Sequence, residues 1–188
     1  TLIGSAWDDL MTGGAGSDVI LGQGGNDIID GGAGAPNELY GGAGDDIIIV
    51  RQAGDTVIES ENQGIDTIQT TLQAYTLLTH FENLTFIGSG AFAGTGNSAA
   101  NTIIGGAGND TLDGAAGDDL LRGGVGDDTL IGGSGIDTAD YSQAAAGVTA
   151  SLAAGGASND GDGGTDSFSG IENLVGSAFN DNLTGDGA

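Results

Sequence analysis

The sequence predicts an all-β chain, a right-handed parallel β-roll or β-solenoid with irregular β spacer segments. Three observations predict it. A nine-residue pattern recurs in tandem, with glycine at positions 1 and 4, aspartate at position 6 and an aliphatic at position 8. Glycine makes up 40 of the 188 residues. No segment sustains the 3.6-residue apolar spacing of a helix. The nearest, SQAAAGVTASLAA, is weakened by Gly147, Val148 and Thr149.

The nonapeptides fall in two runs. The first comprises a degenerate GSAWDDLMT (4–12), GGAGSDVIL (13–21), GQGGNDIID (22–30), GGAGAPNELY (31–40) with one extra residue, and GGAGDDIII (41–49). The second comprises GNSAANTII (96–104), GGAGNDTLD (105–113), GAAGDDLLR (114–122), GGVGDDTLI (123–131) and GGSGIDTAD (132–140). These define blocks 1–49 and 96–140. Segment 50–95 holds GDTVIE, GIDTIQT and FENLTFIG, β-branched stretches that read as short strands continuing the solenoid. Segment 141–175 is a second spacer, whose GTDSF and IENLVG echo GIDTI and FENLTFIG. GSAFNDNLT (176–184) matches GSAWDDLMT, so 176–188 reads as the start of a further block. The match hints at a larger repeat of which the chain covers about one period.

Nine residues suit a short strand followed by a tight loop. In a strand of form x-U-x the middle side chain points one way and its neighbours the other. Ile20, Ile29, Ile48, Ile103, Leu112, Leu121 and Leu130 should therefore stack inward. Two nonapeptides make one coil, and coils stack at about 4.8 Å. Glycine at positions 1, 2 and 4 permits positive φ, turning the loop so that its carbonyls converge. Position-6 aspartates two repeats apart, such as Asp110 and Asp128, then lie one above the other.

Charge excludes several functions. With 2 Lys+Arg against 27 Asp+Glu the formal net charge is −25, which disfavours nucleic acid and anionic membrane as partners. Such composition suits disorder, but disorder predicts no regular spacing. Absence of cysteine excludes disulfides and Cys-type zinc sites. No apolar run is long enough to span a membrane as a helix. The first residues read as the middle of a repeat, so the chain reads as a fragment of a longer protein. His80 is the one histidine, and neither H-E-x-x-H nor G-x-S-x-G occurs, so no catalytic centre is expected. Arg51 and Arg122 are too few for a polyanion-binding groove. Trp7 is expected to pack or cap, and Tyr40, Tyr75 and Tyr141 to cover roll ends.

Carboxylates stacked about 5 Å apart repel by roughly 3 kcal/mol per pair at an effective dielectric of 20. One aliphatic per nine residues is a thin core to set against that, so the roll needs a cation. Flexible loops offering only carbonyl and carboxylate oxygen point to Ca²⁺ over Zn²⁺ or Mg²⁺. Binding would then be folding.

These repeats resemble GGxGxDxUx, the signature of the RTX, or haemolysin-type calcium-binding, proteins. The resemblance implies about four to seven calcium ions between loops of adjacent coils. It implies carboxylate ligands Asp9, Asp18, Asp27, Asp46, Asp110, Asp119, Asp128 and Asp137, with Asp181 serving whatever follows. It implies carbonyl ligands at positions 1 and 3 of one loop and 2 and 4 of the other. Those positions are Gly13, Gly14, Ala15 and Gly16; Gly22, Gly24 and Gly25; Gly41, Gly42 and Gly44; Gly105, Gly106, Ala107 and Gly108; Gly114, Ala116 and Gly117; Gly123, Gly124 and Gly126; and Gly132, Gly133 and Gly135. Asn37 or Glu38 stands where the fourth repeat needs Asp, so the site pairing it with Asp18 departs from the pattern, and Asn101 weakens the site shared with Asp119. The position-5 acids Asp8, Asp45, Asp118 and Asp127 are expected to be solvated, whereas Asp55, Glu59 and Asp66 are candidate ligands in the spacer.

The resemblance further implies export by type I secretion and folding in extracellular calcium, secreted or at the cell surface. It leaves three functions open: a calcium-binding structural module; a repeat of an adhesin, surface layer or filament that assembles with copies of itself; or an accessory domain of a secreted protease, lipase or epimerase.

Overall fold

The computed structural model describes residues 1–61 and 63–187. Asn62, in the 50–95 segment, and Ala188, the last residue of 176–188, lie outside the described residues. The strands are β1 (Leu2–Ile3), β2 (Leu10–Thr12), β3 (Val19–Gly24), β4 (Ile28–Asp30), β5 (Glu38–Ala43), β6 (Ile47–Val50), β7 (Thr56–Ile58), β8 (Thr67–Thr70), β9 (Ala74–Thr76), β10 (Asn83–Phe86) and β11 (Ala93–Thr95). They continue as β12 (Thr102–Ala107), β13 (Thr111–Asp113), β14 (Leu120–Val125), β15 (Thr129–Ile131), β16 (Thr138–Asp140), β17 (Thr149–Ser151), β18 (Gly156–Asn159), β19 (Asp166–Ser169), β20 (Asn173–Val175) and β21 (Asn182–Thr184). Among the described residues there is no helix, and so none long and apolar enough to cross a membrane.

The chain forms two compact units, Thr1–Leu72 with Leu77–Gly88, and Gln73–Thr76 with Ser89–Ala188. The first unit is a parallel β-solenoid. One face is β1-β3-β5-β7 and the other β2-β4-β6-β8-β10. The register aligns the position-8 residues: Ile20 with Leu39 and Leu39 with Val57 on one face, and Met11, Ile29, Ile48, Ile68 and Leu84 in succession on the other. Ile20, Ile29, Leu39, Ile48, Ile68 and Leu84 are fully buried. Three-residue strands alternate outward, inward, outward because only the middle side chain is apolar enough to gain from burial. The spacer therefore supplies coils of its own, with Val57, Ile68 and Leu84 taking the place of position 8.

The second unit repeats the arrangement. One face is β12-β14-β16-β20, with Ile103, Leu121, Ala139 and Leu174 in register. The other runs β9-β11-β13-β15-β19 in parallel, with Gly94, Leu112, Leu130 and Phe168 in register. Gly94 stands in the inward row because the Phe92 ring fills the space its Cβ would need. Segment 141–159 leaves the coil as a hairpin: β17 and β18 pair antiparallel, β18 pairs antiparallel with β19, and β21 pairs parallel with β17.

Two expectations are corrected. Trp7 neither packs nor caps: it is 79% exposed, on a degenerate loop. Tyr141 does not cover an end but is buried, its hydroxyl bonded to Asp166 at 2.7 Å.

Candidate metal centres

The loops at the edges of each solenoid stack their position-6 aspartates into ladders, and the two carboxylate oxygens of each have different fates. Oδ1 accepts the backbone N–H of the position-6 residue one coil before. In the first unit Asp9 N–H donates to Asp27 Oδ1, Asp27 N–H to Asp46 and Asp46 N–H to Asp66, each at 2.8 Å. In the second, Asp110 N–H donates to Asp128 at 2.8 Å and Asp119 N–H to Asp137 at 2.9 Å. The carboxylate thus replaces a strand partner at the point where the chain turns, so every coil needs an acceptor there.

Oδ2 is the chemically open atom. In Asp27, Asp46, Asp110, Asp119, Asp128 and Asp137 it is buried and, among the described residues, has no hydrogen-bond donor. A buried, unpartnered carboxylate oxygen costs several kcal/mol unless a cation or proton meets it. Each faces the position-1 glycine of its own loop. A Cβ on Gly22 would strike both Asp27 Oδ2 and the carbonyl of Gly41, in the next coil. A Cβ on Gly114 would strike Asp119 Oδ2 and stand 2.6 Å from the carbonyl of Gly132. Gly105 faces Asp110 Oδ2 and the Gly123 carbonyl in the same way. Carboxylate and carbonyl oxygen therefore converge on one small space that only glycine leaves free. The donor set is hard oxygen alone, which fits Ca²⁺.

Position 1 is glycine for this reason and not for its backbone angles, contrary to the expectation from the sequence. In the two runs of nonapeptides positive φ falls at positions 2 and 4, as at Gly124 (106°) and Gly126 (135°), and none is found at Gly22, Gly41, Gly105, Gly114, Gly123 or Gly132. Gln23 and Ala115 occupy position 2 with φ of 79° and 72°. The loop tolerates a side chain there at a strain cost, but not at position 1.

Burial raises the carboxyls that face inward. Asp46 and Asp119 are pushed up to about 6 and Asp66 and Asp128 to about 7, chiefly because burial penalises their charged forms. Burial also raises Asp27, Asp110 and Asp137.

Other predicted positions diverge. Asp9 Oδ2 already accepts Ser5 N–H at 2.6 Å and its hydroxyl at 2.9 Å. Asp181 Oδ1 accepts Val148 N–H at 2.9 Å and the Ser177 hydroxyl at 2.6 Å, and that hydroxyl holds it below the usual range, while its Oδ2 faces the position-1 Gly176. Asp18 N–H donates to Asn37 Oδ1, while Asn37 Nδ2 turns toward Gly31 and donates to Asp55 Oδ1 at 3.0 Å. A donor thus stands where its neighbours place an acceptor. Asn101 keeps an oxygen toward Gly96, and its N–H joins the ladder at Asp119. The position-5 acids are exposed, but Asp8, Asp45, Asp118 and Asp127 each accept a backbone N–H from the next coil, forming an outer ladder. Arg51 forks onto Asp30 through Nε and Nη2, and Arg122 binds Asp140, so both cations are engaged within the solenoids.

Sequence reasoning missed that the spacers extend the ladders. Asp66 N–H donates to Glu82 Oε2 at 2.8 Å, Asp137 N–H to Glu172 Oε2 at 2.9 Å and Asp128 N–H to Asp166 Oδ1 at 3.0 Å. The signal was present as a half-repeat, x-[DE]-x-U-x, in GIDTI, FENLT, IENLV and the unrecognised nonapeptide GDGGTDSFS (161–169). Asp160 was also missed. Its Oδ1 accepts three backbone N–H groups, of Asp162, Gly163 and Gly164, and its buried Oδ2 has no donor among the described residues.

Compared with known proteins, residues 3–36, 36–57, 95–130, 104–139 and 166–188 match the family described as the RTX calcium-binding nonapeptide repeat (four copies), well over half of the chain. A stretch of 50 residues, 27% of the chain, is 54% identical to endo-1,3-1,4-beta-glycanase ExsH of Rhizobium meliloti (strain 1021). The match spans 10% of that protein's length.

Proposed function

The chain belongs to the family of RTX calcium-binding nonapeptide repeats, and from that premise we propose that it is the calcium-dependent structural module of a secreted protein, unfolded in a low-calcium cytosol and folded on calcium outside the cell. The observation that carries this reading is the row of buried, unpartnered Oδ2 atoms, those of Asp27, Asp110, Asp119 and Asp137 each sharing a glycine-sized space with a backbone carbonyl of the next coil. Asp27, Asp46, Asp110, Asp119, Asp128 and Asp137 supply the buried carboxylates, and the carbonyls of Gly41, Gly123 and Gly132 complete the loops. Without calcium the ladders hold like charges one above the other, and the thin apolar row opposes them weakly. Calcium turns that repulsion into attraction and couples binding to folding.

Circular dichroism during a calcium titration, with magnesium as control, tests it. A cooperative coil-to-β transition with calcium alone is expected. A chain already β-rich in excess chelator would overturn the coupling. The likeness to part of a glycanase favours a second reading of the context, an accessory domain of a secreted polysaccharide hydrolase whose chemistry lies elsewhere in the protein. The sequence flanking residues 1 and 188 tests that reading: a catalytic domain supports it, and further tandem copies of this unit favour a surface fibre.

A further inference from the structure

In the first unit the coil at Gly41 departs from the repeat pattern in a way of its own. A Cβ on Gly4 or on Gly22 would meet the position-1 carbonyl of the next loop, that of Gly22 or of Gly41. A Cβ on Gly41 instead meets Oε2 of Glu59 first, nearer than any carbonyl, with Asp46 Oδ2 at 2.5 Å. Glu59 follows β7 directly and lies beyond residue 57, where the family match ends. A side-chain carboxylate therefore takes the place that a backbone carbonyl holds in the coils before it.

One carboxylate oxygen each of Asp46, Glu59 and Asp66 lie within 4.8 Å of one another. The cluster does not stand alone as evidence. Asp46 is 1% exposed, its Oδ2 has no donor among the described residues, and that atom is the one turned toward Glu59. The other groups at the site are held in place. Asp66 Oδ1 accepts Asp46 N–H at 2.8 Å, Glu59 Oε1 accepts Ser60 N–H at 3.0 Å, and Oε2 has only a long contact of 3.3 Å from Gly42 N–H. Among the described residues no salt bridge joins the three: Arg51 is committed to Asp30, and His80 offers Glu59 only a weak electrostatic attraction, the smallest influence on its carboxyl.

We propose that Asp46, Glu59 and Asp66 form a calcium site closed by the spacer, in which the Glu59 carboxylate replaces a repeat-loop carbonyl. The proposal rests on the calcium-loop reading of the proposed function and adds to it a site with three carboxylates. The extra charge makes it the tightest calcium site of the first unit, because affinity in all-oxygen sites rises with ligand charge. The first unit then begins to order at its spacer, and calcium reaches the nonapeptide loops afterwards.

Isothermal titration calorimetry with calcium, with native mass spectrometry to count ions, tests this on the full chain and on the Glu59→Gln and Asp110→Asn variants. Glu59→Gln is expected to weaken the tightest class of ions by about tenfold or more, the loss of one charged ligand, while Asp110→Asn weakens a different class. Unchanged count and affinity in Glu59→Gln, with a loss in Asp110→Asn, overturns the spacer site and leaves the loop reading standing. No change in either variant overturns both. A crystal structure of the calcium-loaded wild-type chain decides the matter without a variant. An ion about 2.3–2.6 Å from a Glu59 oxygen supports the site. Glu59 turned away from every ion overturns it.

Discussion

The two units end their runs of nonapeptides in opposite ways. In the first, the ladder through Asp27 and Asp46 continues into a spacer that brings another carboxylate, Glu59, up to the open oxygen of Asp46. In the second, the ladder through Asp110 and Asp128 reaches Asp166, whose second oxygen accepts the buried Tyr141 hydroxyl at 2.7 Å. Acids crowd both ends, but the first leaves the second oxygen facing another carboxylate, and the other closes it with a neutral donor. The backbone requirement is the same in both, an acceptor for the turn's N–H. What differs is the fate of the second oxygen, and that decides whether the coil needs a cation. Ser5 gives the neutral solution again at Asp9, whose Oδ2 accepts its hydroxyl.

The largest expected effect is on the whole ladder. The raised carboxyls bind protons in the folded, calcium-free state more tightly than in the unfolded chain. Their contribution to the calcium-free roll is therefore fully present below about pH 4, near the unfolded aspartate value. It is lost as pH rises through the folded values of about 6 for Asp46 and Asp119 and about 7 for Asp66 and Asp128. Circular dichroism in chelator should show more β structure at pH 5 than at pH 8, and the calcium midpoint should rise as pH falls. A midpoint independent of pH between 5 and 8 would break the link between open oxygens and cation.

Gly123→Ala comes next. Its Cβ would collide with Asp128 Oδ2, so it should cost about 1–3 kcal/mol as overpacking and also one bound ion. Gly14→Ala meets nothing within 4 Å and should cost only the strain of φ +98°, about 1–2 kcal/mol, with the ion count kept. Ion counts by native mass spectrometry separate the two. Asp119→Ala should weaken calcium binding more than Asp118→Ala, since Asp119 offers a buried open oxygen and Asp118 an exposed hydrogen bond to Ile136. Calorimetry showing equal losses would sink the position-6 assignment. Tyr141→Phe should destabilise the calcium-loaded second unit by about 1–3 kcal/mol by stranding an Asp166 oxygen, with calcium affinity at the first unit unchanged, read by thermal melts and calorimetry. Arg51→Met is the smallest change, about 1 kcal/mol or less, for a partly exposed ion pair.

Much of this was legible in the chain itself. The period of nine and its inward residues Ile20, Ile29, Ile48, Ile103, Leu112, Leu121 and Leu130 follow from alternation along a strand, a local rule. The acidity and the oxygen-only loops likewise require a hard cation. Spacer coils were harder to read because Asp66, Glu82 and Glu172 keep the acceptor and the inward aliphatic but lose the glycines, so only half of each repeat survives. Trp7 and Tyr141 could not be placed, since both sit beside irregular loops whose path depends on distant neighbours.

The amino-acid sequence by itself determined the β-solenoid, the stacking of aspartates one coil apart and the demand for a cation, because each arises from a repeat short enough to act locally. Only the tertiary structure decided which carboxylate oxygen is free. That depends on which coil lies next in space: Gly41 with its carbonyl beside Asp27, Glu59 beside Asp46, or Tyr141 beside Asp166. Residues far apart in the chain make those meetings, and no period announces them.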